Sequence, residues 1–252
     1  MNQILVTEKL YVTPSVKRKK KVYKIEFFLS IFLIFVFSTY AIYAEYDRNK
    51  SEEVSQEILG EIDIEALREA SIEKIIEDEI IVYFNEKNKK ITKNEIEIIQ
   101  EKEIPDAIES VASDGTRYYT IGTINIPEIK VNYPILSPAE ANDIVEDIIK
   151  LMKVSPVKIN GANPNRVGNL CIIGHNYLNS KFFSKVPKLE TGDIIEITDL
   201  SGKTVTYKVY NKYIVTPEDT SVLYQNVEGK REITLITCTD NGKERVVIKA
   251  AE

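Results

Sequence analysis

The chain has 252 residues, enough for one ordinary catalytic domain with additional segments. Its formal net charge is −6, from 33 basic and 39 acidic residues, and an acidic, mixed-charge chain gives no reason to expect a nucleic-acid partner. Two cysteines and a single histidine exclude a disulfide framework and any metal site that draws two histidines from this chain. No metal and no cofactor is expected.

The first element is apolar. Phe27 to Ala44 carries no charge and is long enough to cross a hydrocarbon core as a helix. Before it stand Lys17, Arg18, Lys19, Lys20, Lys21 and Lys24; after it stand Glu45 and Asp47. Basic residues stay on the cytoplasmic side. Residues 1–24 are therefore expected inside the cell, 25–44 as a single-pass signal anchor in the cell membrane, and everything later outside. A cleaved signal peptide has a shorter apolar core, about 7–15 residues, so an uncleaved anchor fits better.

Residues 45–117 are rich in Glu, Lys and Ile. Val54, Ile58 and Ile62 recur at helical spacing, and Leu67, Ile72, Ile75 and Ile76 continue it loosely. Ile80 to Phe84 reads as a short strand. The expectation is a charged stalk that acts as a solvated spacer.

From residue 118 to residue 252 the texture is that of a β domain. Tyr118–Ile126 alternates, and Val131–Leu136 is a short apolar strand whose Pro134 marks an edge or bulge. A helix follows Pro138, with Ala141, Ile144, Val145, Ile148, Ile149 and Met152 at helical spacing. Asn169–Ile173, Asp193–Thr198, Thr204–Val215, Glu232–Cys238 and Glu244–Ala250 are further strands. Many short strands with one or two short helices predict a mostly β fold, a closed or nearly closed barrel.

The last hairpin carries the chemistry. Asp240-Asn241-Gly242-Lys243 separates the final strands, and Asn-Gly at the centre of a two-residue turn needs positive φ at both positions. Such a turn sets Thr239 opposite Glu244 and Cys238 opposite Arg245, whose Cβ atoms would lie about 4.5–5.5 Å apart. A bulge would undo that register. A thiolate is the nucleophilic form, and a nearby cation favours it. A guanidinium is also a two-pronged donor for a developing oxyanion. A proton carrier is still required, and the chain offers only His175. Each of the three has an ordinary reading as well: Cys238 as a small buried hydrophobe, His175 as a structural strand end, Arg245 as a surface charge. Cys171, inside an apolar strand, reads as packing.

The segments Gly174-His175-Asn176, Thr234-Leu235-Ile236-Thr237-Cys238 and Arg245 resemble the sortase family, whose nucleophile strand reads Thr-Leu-X-Thr-Cys. Ile121-Gly122-Thr123-Ile124-Asn125-Ile126-Pro127 resembles its first barrel strand. The resemblance implies an eight-stranded β-barrel in which Cys238 attacks the Thr–Gly bond of a Leu-Pro-X-Thr-Gly-like sorting signal. The thioacyl enzyme then passes the signal to an amine, such as that of a peptidoglycan precursor. It implies His175 as acid and base, Arg245 on the substrate backbone and oxyanion, and Thr237 lining the oxyanion site. The implied partners are surface proteins that bear the signal. The short Cys238–Arg245 loop, and the want of a second apolar span near Glu252, point away from the pilin-polymerising subclass. Two other functions use the same residues: a cysteine peptidase that gives its acyl group to water, and a silent membrane-tethered binding protein. A Cys171–Cys238 redox pair is a third idea.

Overall fold

The computed structural model describes residues 14–62, 107–111, 115, 117–139 and 144–252. The expected helical continuation at Leu67–Ile76, the strand at Ile80–Phe84 and the helix position Ala141 lie outside the described residues.

The chain divides into two units, Met1–Asn49 and Lys50–Glu252. Helix α1 (Pro14–Glu61) begins in the first unit, where it carries the apolar run, and its large side chains from Val22 to Tyr46 are exposed. A helix that is apolar all round requires apolar surroundings. It is long and apolar enough to cross a membrane.

The second unit is a β-barrel. Its strands are β1 (Ile108–Val111), β2 (Arg117–Ile126), β3 (Val131–Pro138), β4 (Val157–Asn160), β5 (Gly168–Ile173), β6 (Ile194–Asp199), β7 (Thr204–Val215), β8 (Arg231–Cys238) and β9 (Arg245–Ala251). They run in the order β1-β2-β3-β4-β5-β8-β9-β7-β6, and β2 pairs back onto β6. Eight strands therefore close a ring, as expected. β1 is an additional strand: it pairs with Arg117–Thr120, the part of β2 that precedes the stretch paired with β6. A bulge between Thr120 and Gly122 separates the two stretches and re-aims the strand from one partner to the other.

Alternation along the strands fills the barrel. Ile124, Ile135, Leu170, Ile172, Ile195, Ile197, Tyr207, Ile233, Leu235 and Ile248 all belong to one buried cluster. A second cluster, Tyr118, Leu136, Leu151, Met152 and Val157, lies under helix α2 (Ile144–Met152). Pro134 sits where the expected edge falls: β3 meets β4 at a single parallel pair, Leu136↔Val157, and the Ser155 hydroxyl donates to the Pro134 carbonyl at 2.7 Å.

Two strands were not read from the sequence. β4 has four residues, of which Val157 and Ile159 alone are apolar, and it follows Ser155-Pro156, which reads as loop. β1 lies in a Glu- and Ile-rich stretch with no alternation to set it apart. The segment read as a solvated spacer also begins with packed structure. Within residues 50–61 of α1, Ser55 is fully buried and its hydroxyl donates to that of Ser155 at 3.0 Å. Ile58 packs on the cluster under α2.

Candidate active site

The hairpin has the expected register by a different turn. Cys238 pairs with Arg245, and Thr239 N donates to Glu244 O at 3.0 Å. The turn closes one residue earlier than an Asn-Gly type I′ turn would, with Gly242 N donating to Thr239 O at 2.8 Å. Only Gly242 has positive φ, at 72°. Asn241 stays out of the left-handed region because its carboxamide oxygen accepts from Lys243 N (2.9 Å) and from Thr239 Oγ1 (2.7 Å). This local Asx turn satisfies the loop without a second inverted residue.

His175 reaches the hairpin through the parallel β5–β8 ladder. Partners there differ by 63 in number throughout, from Gly168↔Arg231 to Ile173↔Ile236. Gly174 N prolongs the ladder by donating to Ile236 O at 3.1 Å. The same offset would pair His175 with Cys238, two residues beyond the end of the β5–β8 ladder. Arg245 stands opposite Cys238 on β9, and the segment that carries His175 leaves β5 beside the end of β8. The sequence contains this alignment only as a difference in numbering between strands whose pairing it does not state.

Three hydrogen bonds tie the segment after β5 to the end of β8 and its turn. Thr237 is 1% exposed, and its hydroxyl donates to Gly174 O at 2.8 Å. The Asn176 amide donates to Cys238 O and to Asp240 Oδ1, each at 3.0 Å. Thr237 is thereby committed to holding the end of β5. Asn176, not singled out for chemistry from the sequence, ties the residue after His175 to the nucleophile strand. Arg245 Nη1 donates to Gly242 O (3.4 Å) and Glu244 O (3.2 Å), which keeps the guanidinium at the turn.

Gly174 is required by packing. A Cβ there would meet Cγ of the Phe183 ring at 2.6 Å, and Phe183 is fully buried. The loop after His175 closes back on it, since Phe183 N donates to His175 O at 3.1 Å. The His175 ring stacks on Tyr177, with centroids 4.8 Å apart and planes at 29°. Burial, and then the charge of Lys153, hold the imidazole below the usual histidine range, so it is neutral near pH 7 and able to take a proton.

Side-chain alternation places Cys238 and Arg245 on the outer face of the barrel, with Ile236 and Val247. Those two pack with Val222, and Ile173, Tyr213 and Leu223 join them. Val222 and Leu223 belong to a 3₁₀ turn, Thr220–Leu223, in the β7–β8 connection. That connection is stitched to the sheet by a buried polar network. Lys249 Nζ donates to Thr234 Oγ1 (2.7 Å) and Val222 O (3.0 Å), and Thr234 donates to Asn169 Oδ1 (2.6 Å). Gln225 exchanges bonds with the Asn169 backbone at 3.0 Å each way. Burial lowers the Lys249 ammonium below its ordinary value.

Both cysteines are free thiols, Cys171 buried and Cys238 partly exposed. Cys171 pairs with Thr234, which puts it about 13 Å along the sheet from Cys238 at ~3.3 Å per residue, beyond the span of a disulfide. Burial pushes the Cys171 thiol up, and it reads as packing. Among the described residues no cluster of His, Cys, Asp and Glu has metal-binding geometry.

A family model for the sortase domain matches residues 124–252, just over half of the chain. The chain belongs to the sortase family. It is 30% identical over 169 residues to a sortase A of Streptococcus agalactiae serotype III, a match spanning 66% of each chain. To a sortase A of Bacillus anthracis it is 31% identical over 161 residues, spanning 62% of this chain and 71% of that one. Among solved structures, the Clostridium perfringens sortase D5 transpeptidase is 33% identical, with a TM-score of 0.44, covering 52% of this chain and 78% of that one. Transpeptidation by cysteine chemistry is general to sortases.

Proposed function

We propose that this sortase is a membrane-tethered transpeptidase whose nucleophile is Cys238 and whose substrate is an LPXTG-like sorting signal on a surface protein. What supports the reading is the Cys238–Arg245 pairing, together with the bonds that tie the residues on either side of His175 to the Cys238 strand: Gly174 N to Ile236 O, Thr237 Oγ1 to Gly174 O and the Asn176 amide to Cys238 O.

In the first half-reaction neutral His175 takes the proton of the Cys238 thiol, and the thiolate so formed attacks the threonine carbonyl of the signal. A C–S bond forms, the Thr–Gly C–N bond breaks, and His175 gives a proton to the departing glycine amine. Arg245, always charged, donates to the oxyanion that forms in between. In the second half-reaction an amine of the cell wall, such as that of a peptidoglycan precursor, attacks the thioester. The C–N bond forms, the C–S bond breaks, and His175 takes the amine's surplus proton. Thr237 serves by fixing the end of β5, and so His175, against the nucleophile strand. The basic block in the first turns of α1, ahead of the apolar run, supports a cytoplasmic N-terminus with the barrel outside.

The test is mass measurement on the full chain in detergent, with a panel of sorting-signal peptides, with and without an amine acceptor. The expected result is an acyl adduct on Cys238 and an amine-linked product, both lost in Cys238→Ala. Cleavage that proceeds unchanged with no amine transfer would make the protein a peptidase. No adduct and no cleavage from folded, reduced protein would leave a binding protein.

A further inference from the structure

Residues 50–61 of α1 belong to the barrel unit and touch it at a place that leads to His175. Glu52 pairs with Lys181 at 2.5 Å and accepts from the Tyr133 hydroxyl at 3.1 Å. Tyr133 in turn accepts from Phe182 N at 3.1 Å, and its ring stacks on Phe182 with centroids 5.2 Å apart. Phe182 meets Tyr177 edge-on at 5.7 Å, and Tyr177 stacks on His175 at 4.8 Å. An unbroken series of contacts therefore runs from Glu52 to the imidazole. Gln56 Nε2, donating to Asn132 O at 3.1 Å, and buried Ser55 hold the helix in place on the same side.

The loop in the middle of this series needs support. Leu178 and Phe182 have φ of 57° and 47°, the left-handed region, which large side chains occupy only when their surroundings impose it. Asn176 and Asn179 brace the loop from within by accepting from Leu178 N and Lys181 N. The restraint on Phe182 itself comes from Tyr133. Burial, chiefly, pushes the Tyr133 hydroxyl up to about 12, so it stays protonated and can accept from Phe182 while donating to Glu52.

We propose that residues 50–61 are a working part of the acyl-transfer site: Glu52, through Tyr133 and Lys181, holds the loop after His175 in the arrangement that seats Tyr177 against the His175 ring. Tyr177 is then a positioning residue, and the helix end sets how well His175 meets Cys238. The inference rests on His175 being the proton carrier proposed above.

His175 is the only histidine in the chain, so its ring C–H resonances are unambiguous and report the stacked Tyr177 directly. The experiment compares wild type, Glu52→Ala, Tyr133→Phe, Tyr177→Leu and the exchanged pair Glu52→Lys/Lys181→Glu, each as the full chain in detergent micelles. Each is measured for the His175 resonances, for the rate of acylation by the peptide identified above, and for thermal unfolding. Glu52→Ala and Tyr133→Phe are expected to move the His175 resonances toward their position in Tyr177→Leu. They are expected to lower kcat about tenfold with KM little changed, as misplacement of a catalytic group does. The exchanged pair restores the ion pair but not the acceptor of the Tyr133 hydroxyl, and is expected to recover only part of both. Resonances that move in Tyr177→Leu but stay at the wild-type position in Glu52→Ala and Tyr133→Phe would overturn the inference, whatever the rates. Resonances that move with no loss of rate would overturn it too, since the helix end would then be structural only. If wild type forms no acyl adduct at all, the transpeptidase reading fails, while the resonances still decide whether Glu52 governs His175.

Discussion

Replacing Gly174 by alanine tests the packing that seats His175. The added Cβ would lie 2.6 Å from Phe183 Cγ and 2.7 Å from Cδ2, whereas carbon atoms in contact prefer about 3.5–4.0 Å. Either the ring or the strand end must move by about 1 Å, and the Phe183 ring is fully buried. Overpacking of this kind costs about 1–3 kcal/mol. Stiffening the unfolded chain returns about 0.4–1 kcal/mol, leaving a net loss of about 1–2 kcal/mol. At about 2–4 °C per kcal/mol for a domain of this size, Tm falls by about 2–8 °C, read by near-ultraviolet circular dichroism. Phe183 N is bonded to His175 O, so displacement of Phe183 also drags the histidine, and kcat falls with KM held. Phe183→Leu added to Gly174→Ala relieves the overlap and is expected to recover part of both losses, a coupling of about 0.5–3 kcal/mol for residues in contact. A Gly174→Ala protein with wild-type Tm and wild-type kcat would refute the argument. So would a double variant whose losses simply add.

Other outcomes follow from the same contacts. Burial holds His175 below its ordinary value, so the unfolded chain binds a proton that the folded chain refuses; stability is full above the usual histidine range and declines as pH falls below it. Thermal unfolding of wild type from pH 8 to pH 5 is expected to lose more than that of His175→Gln, and parallel curves would contradict this. Lys153→Gln removes the second cause of the shift and is expected to move the midpoint of the His175 resonance titration upward. Lys249→Met takes the ammonium donor from Thr234 Oγ1 and leaves Val222 O with the longer bond from the Asn169 amide (3.5 Å), at a cost of about 1–3 kcal/mol, and amide exchange across 220–225 is expected to accelerate; unchanged exchange would show that Lys249 does not hold that turn. Iodoacetamide on the native protein is expected to add one group per chain, on Cys238, with Cys171 reacting only in denaturant; an adduct on Cys171 in native protein would contradict its burial.

Much of this fold is written in local patterns. β7 has the bounds its alternation predicts, and most of the other expected strands begin or end within a residue or two of their patterns, because each buries one face. β1 and β4 have four residues each and are strands only because neighbours pair with them, a tertiary fact. The Cys238–Arg245 pairing was legible because a turn fixes its register over a few residues. The turn type was misread because the Asn241 side chain offered its own hydrogen bonds in place of an inverted backbone. The neighbourhood of His175 and Cys238 is a different kind of information: it depends on a parallel pairing between distant segments, and only the family motif pointed to it. Tyr177, Phe183 and Glu52 carry no signal of their own, being an aromatic in a loop, an aromatic beside it and one acid among many.

Between His175 and Cys238 the chain leaves the sheet, builds β6 and β7 elsewhere in the barrel, and returns through residues 216–230 to lie alongside β5. A parallel neighbour always demands such an excursion, and here the excursion is the part that flanks the site. The pairing and the segment that flanks it are thus written in separate parts of the chain. Lengthening or rewriting 216–230 changes the flank while the β5–β8 ladder stays intact. A slip of one residue between β5 and β8 would do the reverse, leaving the flank in place beside a pairing that no longer meets.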